Sequence, residues 1–336
     1  MNLKQIGEFG LIERLQRLLP PPDEALRVGI GDDAAVWRPR PQMDLVLTCD
    51  MLVEGRHFLT LSDRPPEYAY LIGQRAANVN LSDIAAMAAL PRFALISLAL
   101  PHTIEVETIE QIYRGLSHSF AQTSTTIAGG NITAIDGPFA IDITLGGEVE
   151  SNKAILRSGS KIGDWIGMTG YPGLAAAGLY SLQHQAAPDF TALEQPIRAY
   201  LLPQARINEA RLLAPHIHAM TDISDGLLLD LHNLLSPHQL GAILDTDHLP
   251  IHPCIHAQAI ARNLSTTDLI FSPSDDYELL FTAPAQAVAD IDAIFAKHNL
   301  SPLHWLGIVT DETHALMLRD HNRCIRQIEP TGWRHF

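Results

Sequence analysis

Phe139-Ala140-Ile141-Asp142-Ile143-Thr144-Leu145-Gly146-Gly147-Glu148-Val149 carries an apolar–polar alternation of period two at its centre. Ile141, Ile143 and Leu145 fall on one side and Asp142 and Thr144 on the other, the pattern of a strand covered on one face only. A helix is predicted upstream over 67–79, where Tyr68, Ile72, Ala76 and Val79 recur at helical spacing. Residues 44–50 and 93–100 are short apolar runs between turn formers and are predicted as further strands. Downstream, residues 150–153 are polar, and Gly159 and Gly163 flank a turn before a new apolar strand at Trp165–Thr169. That change places a domain boundary near residue 150, giving domains 1–150 and 151–336. The second half holds helical patterns at 173–184, 203–213, 224–235 and 285–298 with strands between them, so an α+β or α/β build is expected.

A chain of 336 residues suits two domains. Hydrophobic residues at 46% and charged residues at 18% are the composition of a folded globular protein. With 38 Asp and Glu against 23 Lys and Arg, the net charge of −15 disfavours nucleic acid and anionic membrane surfaces. A small anionic ligand then needs metal ions or a few Arg side chains to reverse the potential locally. The first nineteen residues lack the apolar run of a secretory signal, and the apolar stretch 84–100 is broken by Pro91 and Arg92. Cys49, Cys254 and Cys324 form neither a Cys-x-x-Cys pair nor an evident disulfide framework, which points to a reducing cytoplasm.

Familiar nucleotide motifs fail on inspection. Gly29-Ile30-Gly31-Asp32-Asp33-Ala34 matches G-x-G-x-x-A in form, but two carboxylates stand where a diphosphate would lie, and Pro39 and Pro41 oppose a long following helix. No Gly-Lys dipeptide exists for a P-loop, and neither G-x-S-x-G nor H-E-x-x-H is present. What remains is a set of aspartates at element ends: Asp32, Asp33, Asp50, Asp83, Asp222 and Asp225. Mg²⁺ is a hard cation shared between a few carboxylates and substrate phosphates, and scattered aspartates meet that demand. Turn formation and helix capping compete with it as explanations, most strongly at Asp222-Ile223-Ser224-Asp225-Gly226 before an apolar stripe. Residues 125–128 are predicted as a strand stopping at Gly129-Gly130-Asn131, which is either an anion-binding turn or a plain one.

Read together, Gly7-Glu8-Phe9, Gly29-Ile30-Gly31-Asp32-Asp33, the segment 48–58 (TCDMLVEGRHF) and the segment 80–87 (NLSDIAAM) resemble the thiamine-monophosphate kinases. The likeness continues through Gly129-Gly130-Asn131, Arg157-Ser158-Gly159, Asp222-Ile223-Ser224-Asp225-Gly226-Leu227, Asp276-Tyr277-Glu278-Leu279 and the terminal Gly332-Trp333-Arg334-His335-Phe336. The combination spans essentially the whole chain and is far more specific than any single member. It implies a two-domain fold like that of the aminoimidazole ribonucleotide synthetases, with an N-terminal domain that pairs in a homodimer and a C-terminal domain that completes the active site. It implies ATP- and Mg²⁺-dependent phosphorylation of thiamine monophosphate to thiamine diphosphate.

Carried over residue by residue, the resemblance makes Asp33, Thr48, Asp50, Asp83, Asn131, Asp222 and Asp225 the Mg²⁺ shell, with Asp50, Asp83 and Asp222 as catalytic positions. Tyr113, Gly130, Asn131, Arg157 and Ser224 match nucleotide-contacting positions, and His57, Asp275 and Trp333 match positions that hold thiamine monophosphate. Cys49 stands where a Thr or Ser metal ligand is usual, implying a weakened metal there because thiol is the softer donor. The segment 272–275 (SPSD) replaces a more typical Gly-Gly-Glu approach to Asp276. Two other readings stay open: another ATP-dependent synthetase of the same fold, and a non-catalytic protein that binds ATP or thiamine phosphates.

Overall fold

The computed structural model describes residues 3–62, 64–184 and 188–334. The chain forms two compact units, one of residues 1–84, 89–153 and 190–192, the other of 85–88, 154–189 and 193–336. Among the described residues no helix is long and apolar enough to cross a membrane.

The N-terminal elements are α1 (Leu3–Gln16), β1 (Leu26–Val28), β2 (Val36–Trp37), β3 (Met43–Val53), α2 (Pro66–Ala86), β4 (Leu90–Pro101), α3 (Val106–Gln122), β5 (Thr126–Ile135) and β6 (Ala140–Glu150). Four strands form one sheet in the order β3-β6-β4-β5, antiparallel except for the β4–β5 pair, whose parallel crossover is α3. The alternation in β6 holds: Ile141, Ile143 and Leu145 are fully buried, whereas Asp142 and Thr144 stay partly open. Ile96 and Leu98 of β4, Ile72 and Val79 of α2, and Ile109, Ile112 and Leu116 of α3 are likewise buried. Each such side chain contributes about 1.5–3 kcal/mol of burial free energy. The opposite sheet face is bare along the edge strand β3. Leu45, Leu47 and Met51 of β3 are 50%, 59% and 53% exposed.

β1 is followed by a turn and by β2, with which it pairs antiparallel, so Gly29-Ile30-Gly31 opens no helix and the dinucleotide reading is excluded. β5 runs through Gly129-Gly130-Asn131 to Ile135, where the sequence predicted a stop, with a register shift opposite Ala94–Leu95. The glycine is required by close pairing, since a Cβ on Gly130 would lie 1.9 Å from the Ile96 carbonyl oxygen.

The C-terminal elements are β7 (Trp165–Thr169), α4 (Leu174–His184), α5 (Gln195–Leu201), α6 (Ile207–Leu213), β8 (Ala219–Asp222), α7 (Leu227–Leu235), β9 (Gly241–Asp245), α8 (Pro253–Arg262), α9 (Thr266–Ile270), β10 (Leu279–Ala283), α10 (Val288–His298), β11 (Leu303–Thr310), β12 (Leu316–Arg319) and β13 (Ile325–Ile328). The seven strands form one mixed sheet in the order β13-β12-β9-β11-β7-β10-β8. Leu227, Leu228, Leu231, Leu234 and Leu235 of α7 all enter a buried cluster with Ile166, Met168, Leu244 and Leu280 of the sheet. Helix α7 starts at Leu227, where its apolar stripe begins and three residues later than the predicted range 224–235, because residues 224–226 are held in a turn by a side chain of the helix itself.

Candidate active site

In the N-terminal unit the period of two along β3 sorts the predicted ligands. Thr48 and Asp50 lie on the face toward α2. The Thr48 hydroxyl donates to Asp83 Oδ2, and the Asp50 backbone N–H donates to Asn80 Oδ1 at 3.2 Å. Asn80 and Asp83 are three residues apart on α2 and so share one helix face. The Asn80 side-chain NH2 also donates to the Ala76 carbonyl at 3.0 Å, which turns the amide oxygen, not the nitrogen, toward β3. Thr48, Asp50 and Asp83 are therefore brought together.

Cys49 is not brought into this group. Its thiol points to the other face, 3.4 Å from Asp142 Oδ1 and 3.6 Å from the Thr144 hydroxyl. Thr144 pulls its pKa down, but burial and the charges of Asp142 and Asp50 outweigh that and leave it above the usual thiol value. The softness argument for a weakened metal does not reach the Thr48–Asp83 pair.

Asn131 and Gly130 are also apart from it. β3 and β5 are opposite edges of the sheet, three strand spacings or about 14 Å apart. Gly130 and Asn131 are exposed on β5, where Gly29 sits close enough that a Cβ would lie 3.6 Å from the Ala128 carbonyl. Asp33 follows in an exposed turn in which Asp32 Oδ1 accepts the Asp33 N–H at 2.8 Å. Tyr113 on α3 is 6% exposed, and burial pushes its hydroxyl pKa above the usual value. A cavity of about 810 Å³ opens between Pro20–Pro22, Arg27, Gly29, the end of α3 and the start of β5. None of the predicted site residues lines it.

His57 lies in the turn after β3, its Nδ1 accepting the Val53 N–H at 3.0 Å, which leaves Nε2 to carry the neutral ring's proton. Glu54 ties that loop down by accepting the Leu61 N–H at 2.7 Å and the Phe139 N–H at 3.2 Å.

In the C-terminal unit three segments distant in sequence meet. Ile223 exchanges backbone hydrogen bonds with the segment after Asp276: its N–H reaches the Glu278 carbonyl at 2.8 Å, and the Tyr277 N–H reaches its own carbonyl at 2.7 Å. The Trp333 N–H donates to the Asp225 carbonyl at 2.9 Å, bringing the C-terminal segment onto the same turn. Gly226 faces the backbone of residues 272–274, where a Cβ would stand 3.2 Å from the Ser272 carbonyl. Ser224, Asp225 and Trp333 are thus gathered, with Asp275 in the strand approach beside them and Asp222 buried at the end of β8. Arg157 is exposed on the segment whose Leu156 carbonyl accepts the Met220 N–H at 3.1 Å. His335 and Phe336 lie outside the described residues.

Capping does not explain Asp222 and Asp225. The N-cap of α7 is Gly226, which has no side-chain cap bond. The turn is instead held by Asp230, whose Oδ2 accepts the N–H groups of Ser224, Asp225 and Gly226 at 3.0, 3.0 and 3.1 Å. Burial pushes the Asp230 carboxyl up to about 6, with these donors pulling the other way. Asp276 does similar work one loop away: it accepts the Gly173 and Ala175 N–H groups at 2.7 and 2.9 Å at the start of α4, and burial pushes it up to about 7. Glu278 is 9% exposed, accepts the Thr169 hydroxyl at 2.6 Å and pairs with Arg206 Nε at 2.7 Å. Sequence reasoning gave no role to Asp230, and placed Asp276 and Glu278 only within a motif. The one local signal for Asp230 was a carboxylate in the first turn of a helix.

The family model for the N-terminal domain of AIR synthase related proteins matches residues 31–149, and that for the C-terminal domain matches residues 161–318. The thiamine-monophosphate kinase of Escherichia coli strain K12 is 32% identical over 339 residues, covering 98% of each chain. The crystal structure of thiamine-monophosphate kinase from Stenotrophomonas maltophilia K279a aligns with a TM-score of 0.79 at 31% identity, covering 94% of this chain and 97% of that one. AaThiL complexed with AMPPCP and TMP aligns with a TM-score of 0.75 at 29% identity, covering 100% of this chain and 99% of that one. The fold is the two-domain α+β fold of the aminoimidazole ribonucleotide synthetases.

Proposed function

Since the chain belongs to the thiamine-monophosphate kinase family, we propose that it transfers the γ-phosphoryl group of ATP to thiamine monophosphate, giving thiamine diphosphate and ADP. The observation that carries the reading to this chain's residues is the meeting of Thr48, Asp50 and Asp83 on one face of β3 and α2.

The acceptor is a phosphate monoester with a second pKa near 6, so its attacking oxygen is largely ionised at neutral pH and no protein base has to remove a proton. The barrier is the in-line approach of two anions. Thr48, Asp50 and Asp83 offer hydroxyl and carboxylate oxygens only, the donor set a hard cation prefers. Among the described residues no group of three or more His, Cys, Asp or Glu could hold a metal ion; Mg²⁺ would need waters and substrate phosphate oxygens to complete its coordination. When bound, Mg²⁺ supplies charge neutralisation at those oxygens. The Thr48 hydroxyl orients Asp83, and Asn80 holds the Asp50 backbone, so the carboxylates are aimed before substrate arrives. Asp222, Asp225, Asp33 and Asn131 are proposed as further metal ligands. Ser224, Arg157, Tyr113 and Gly130 are proposed nucleotide contacts. His57, Asp275 and Trp333 are proposed for the thiamine moiety, an indole being apt beside a cationic thiazolium. Transfer is direct, with no phosphoenzyme.

Incubation of the purified chain with ATP, Mg²⁺ and either thiamine or thiamine monophosphate tests the assignment. Thiamine diphosphate and ADP should form only from the monophosphate. ADP release with another acceptor, or nucleotide binding without turnover, favours the synthetase or binding-protein reading.

A homodimer is part of the proposal, formed through the bare sheet face. Leu45, Leu47 and Met51 present there an apolar stripe that one protomer leaves open. Leu47→Asp should shift the sedimentation coefficient to that of a monomer, and an unchanged coefficient would remove this face as the interface. A cytoplasmic location is proposed on the three free thiols, two of them exposed.

A further inference from the structure

We propose that Asp230 is a positioning residue for nucleotide binding: it fills the amide nest of the Ser224–Gly226 turn and thereby sets the directions of the Ser224 hydroxyl and the Asp225 carboxylate. The inference rests on the kinase reading above and extends it to a residue that touches neither substrate nor metal.

Three successive backbone N–H groups pointing at one spot form a concavity suited to an anion, of the kind that cradles phosphates elsewhere. Here the anion is internal. Oδ2 of Asp230 accepts all three donors at 3.0–3.1 Å, and the residue is 3% exposed. The occupant is fixed by α7, since the Asp230 N–H donates to the Gly226 carbonyl at 3.0 Å and so makes the first helical bond over the same turn. The remaining sides of the turn are tied by Ile223 to Glu278 and Tyr277, and by Asp225 to Trp333. A phosphate therefore cannot use these amides. Ser224 must reach the nucleotide through its side chain, and the direction of that side chain is set by a backbone whose donors are all committed to one carboxylate. Without the carboxylate the three donors lose their common partner, the turn samples several directions between its outer ties, and the binding energy spent on ordering it appears as weaker affinity.

The test compares Asp230→Ala, which loses all three bonds, with Asp230→Asn, which keeps an acceptor oxygen in place. Amide exchange of residues 224–226 is read by mass spectrometry, affinity for AMPPCP with Mg²⁺ by calorimetry without turnover, and kcat and KM by product assay. In Asp230→Ala exchange should rise about tenfold or more, AMPPCP should bind about tenfold more weakly, and KM for ATP should rise with it, while KM for thiamine monophosphate moves less than about threefold. Asp230→Asn should return each value to within about threefold of the parent. Faster exchange with unchanged AMPPCP affinity would overturn the proposal, as would Asp230→Asn behaving like Asp230→Ala. Should Asp230→Ala not fold, Asp230→Ser, too short to span all three donors, carries the same comparison. A parent protein that binds AMPPCP but makes no thiamine diphosphate sinks the kinase reading alone, and the exchange and affinity data still decide the role of Asp230.

Discussion

Asp83→Ala should lower thiamine diphosphate formation by about 10³-fold or more, the scale seen when a preorganised group at a developing charge is removed. Alanine is the strongest helix former, and Asp83 is only partly buried on α2, so the fold should survive and circular dichroism should match the parent. The loss should fall on kcat more than on KM for ATP, because the carboxylate is needed most where charge builds between the two phosphates. Thr48→Val serves as the companion. It removes the hydroxyl that orients Asp83 and leaves the carboxylate, so its effect should be smaller, about tenfold. An Asp83→Ala enzyme with parental turnover would remove the Thr48–Asp50–Asp83 group from the chemistry.

Arg206→Ala should destabilise the C-terminal unit by about 3 kcal/mol or more, since it leaves the Glu278 carboxylate buried with no cation. For a unit of this size that corresponds to a drop of roughly 10 °C in unfolding midpoint, read by calorimetry. The cause is desolvation, and the control follows from it. Adding Glu278→Gln to Arg206→Ala removes the stranded charge and should recover at least half of the loss, whereas losses that simply add would show that the pair is not coupled. For Arg206 burial is the largest single influence and works against the charge, but the attraction and hydrogen bonding of Glu278 together with the charge of Glu209 outweigh it and raise the pKa above the usual value.

Asp50 and Asp83 on one side, and Arg206 and Glu278 on the other, differ sharply in how legible they are in the sequence. The strand alternation of β6 and the leucine stripe of α7 were readable because burial acts on each residue according to its own face, and the period survives in the one-dimensional record. Asp50 and Asp83 stood out for a related reason, as carboxylates set against apolar runs. Arg206 and Glu278 did not, because a pair 72 residues apart leaves no periodic trace. The continuation of β5 through Gly129-Gly130-Asn131 was missed on similar grounds. Glycine pairs read as turns unless it is known that the Ile96 carbonyl presses against one of them.

The sequence by itself determined the mixing of helices and strands, the covered and open sides of β6, and the likeness to thiamine-monophosphate kinases, since each depends on residue type at a spacing. Only the tertiary structure decided which aspartates are neighbours. It put Thr48 and Asp50 with Asp83, turned the Cys49 thiol to the opposite face, and left Asn131 on the far edge of the sheet. The reason is geometric: the alternating direction of side chains on a strand and the order of strands in a sheet fix proximity, and strand order is a property of pairing between distant segments that no local pattern encodes.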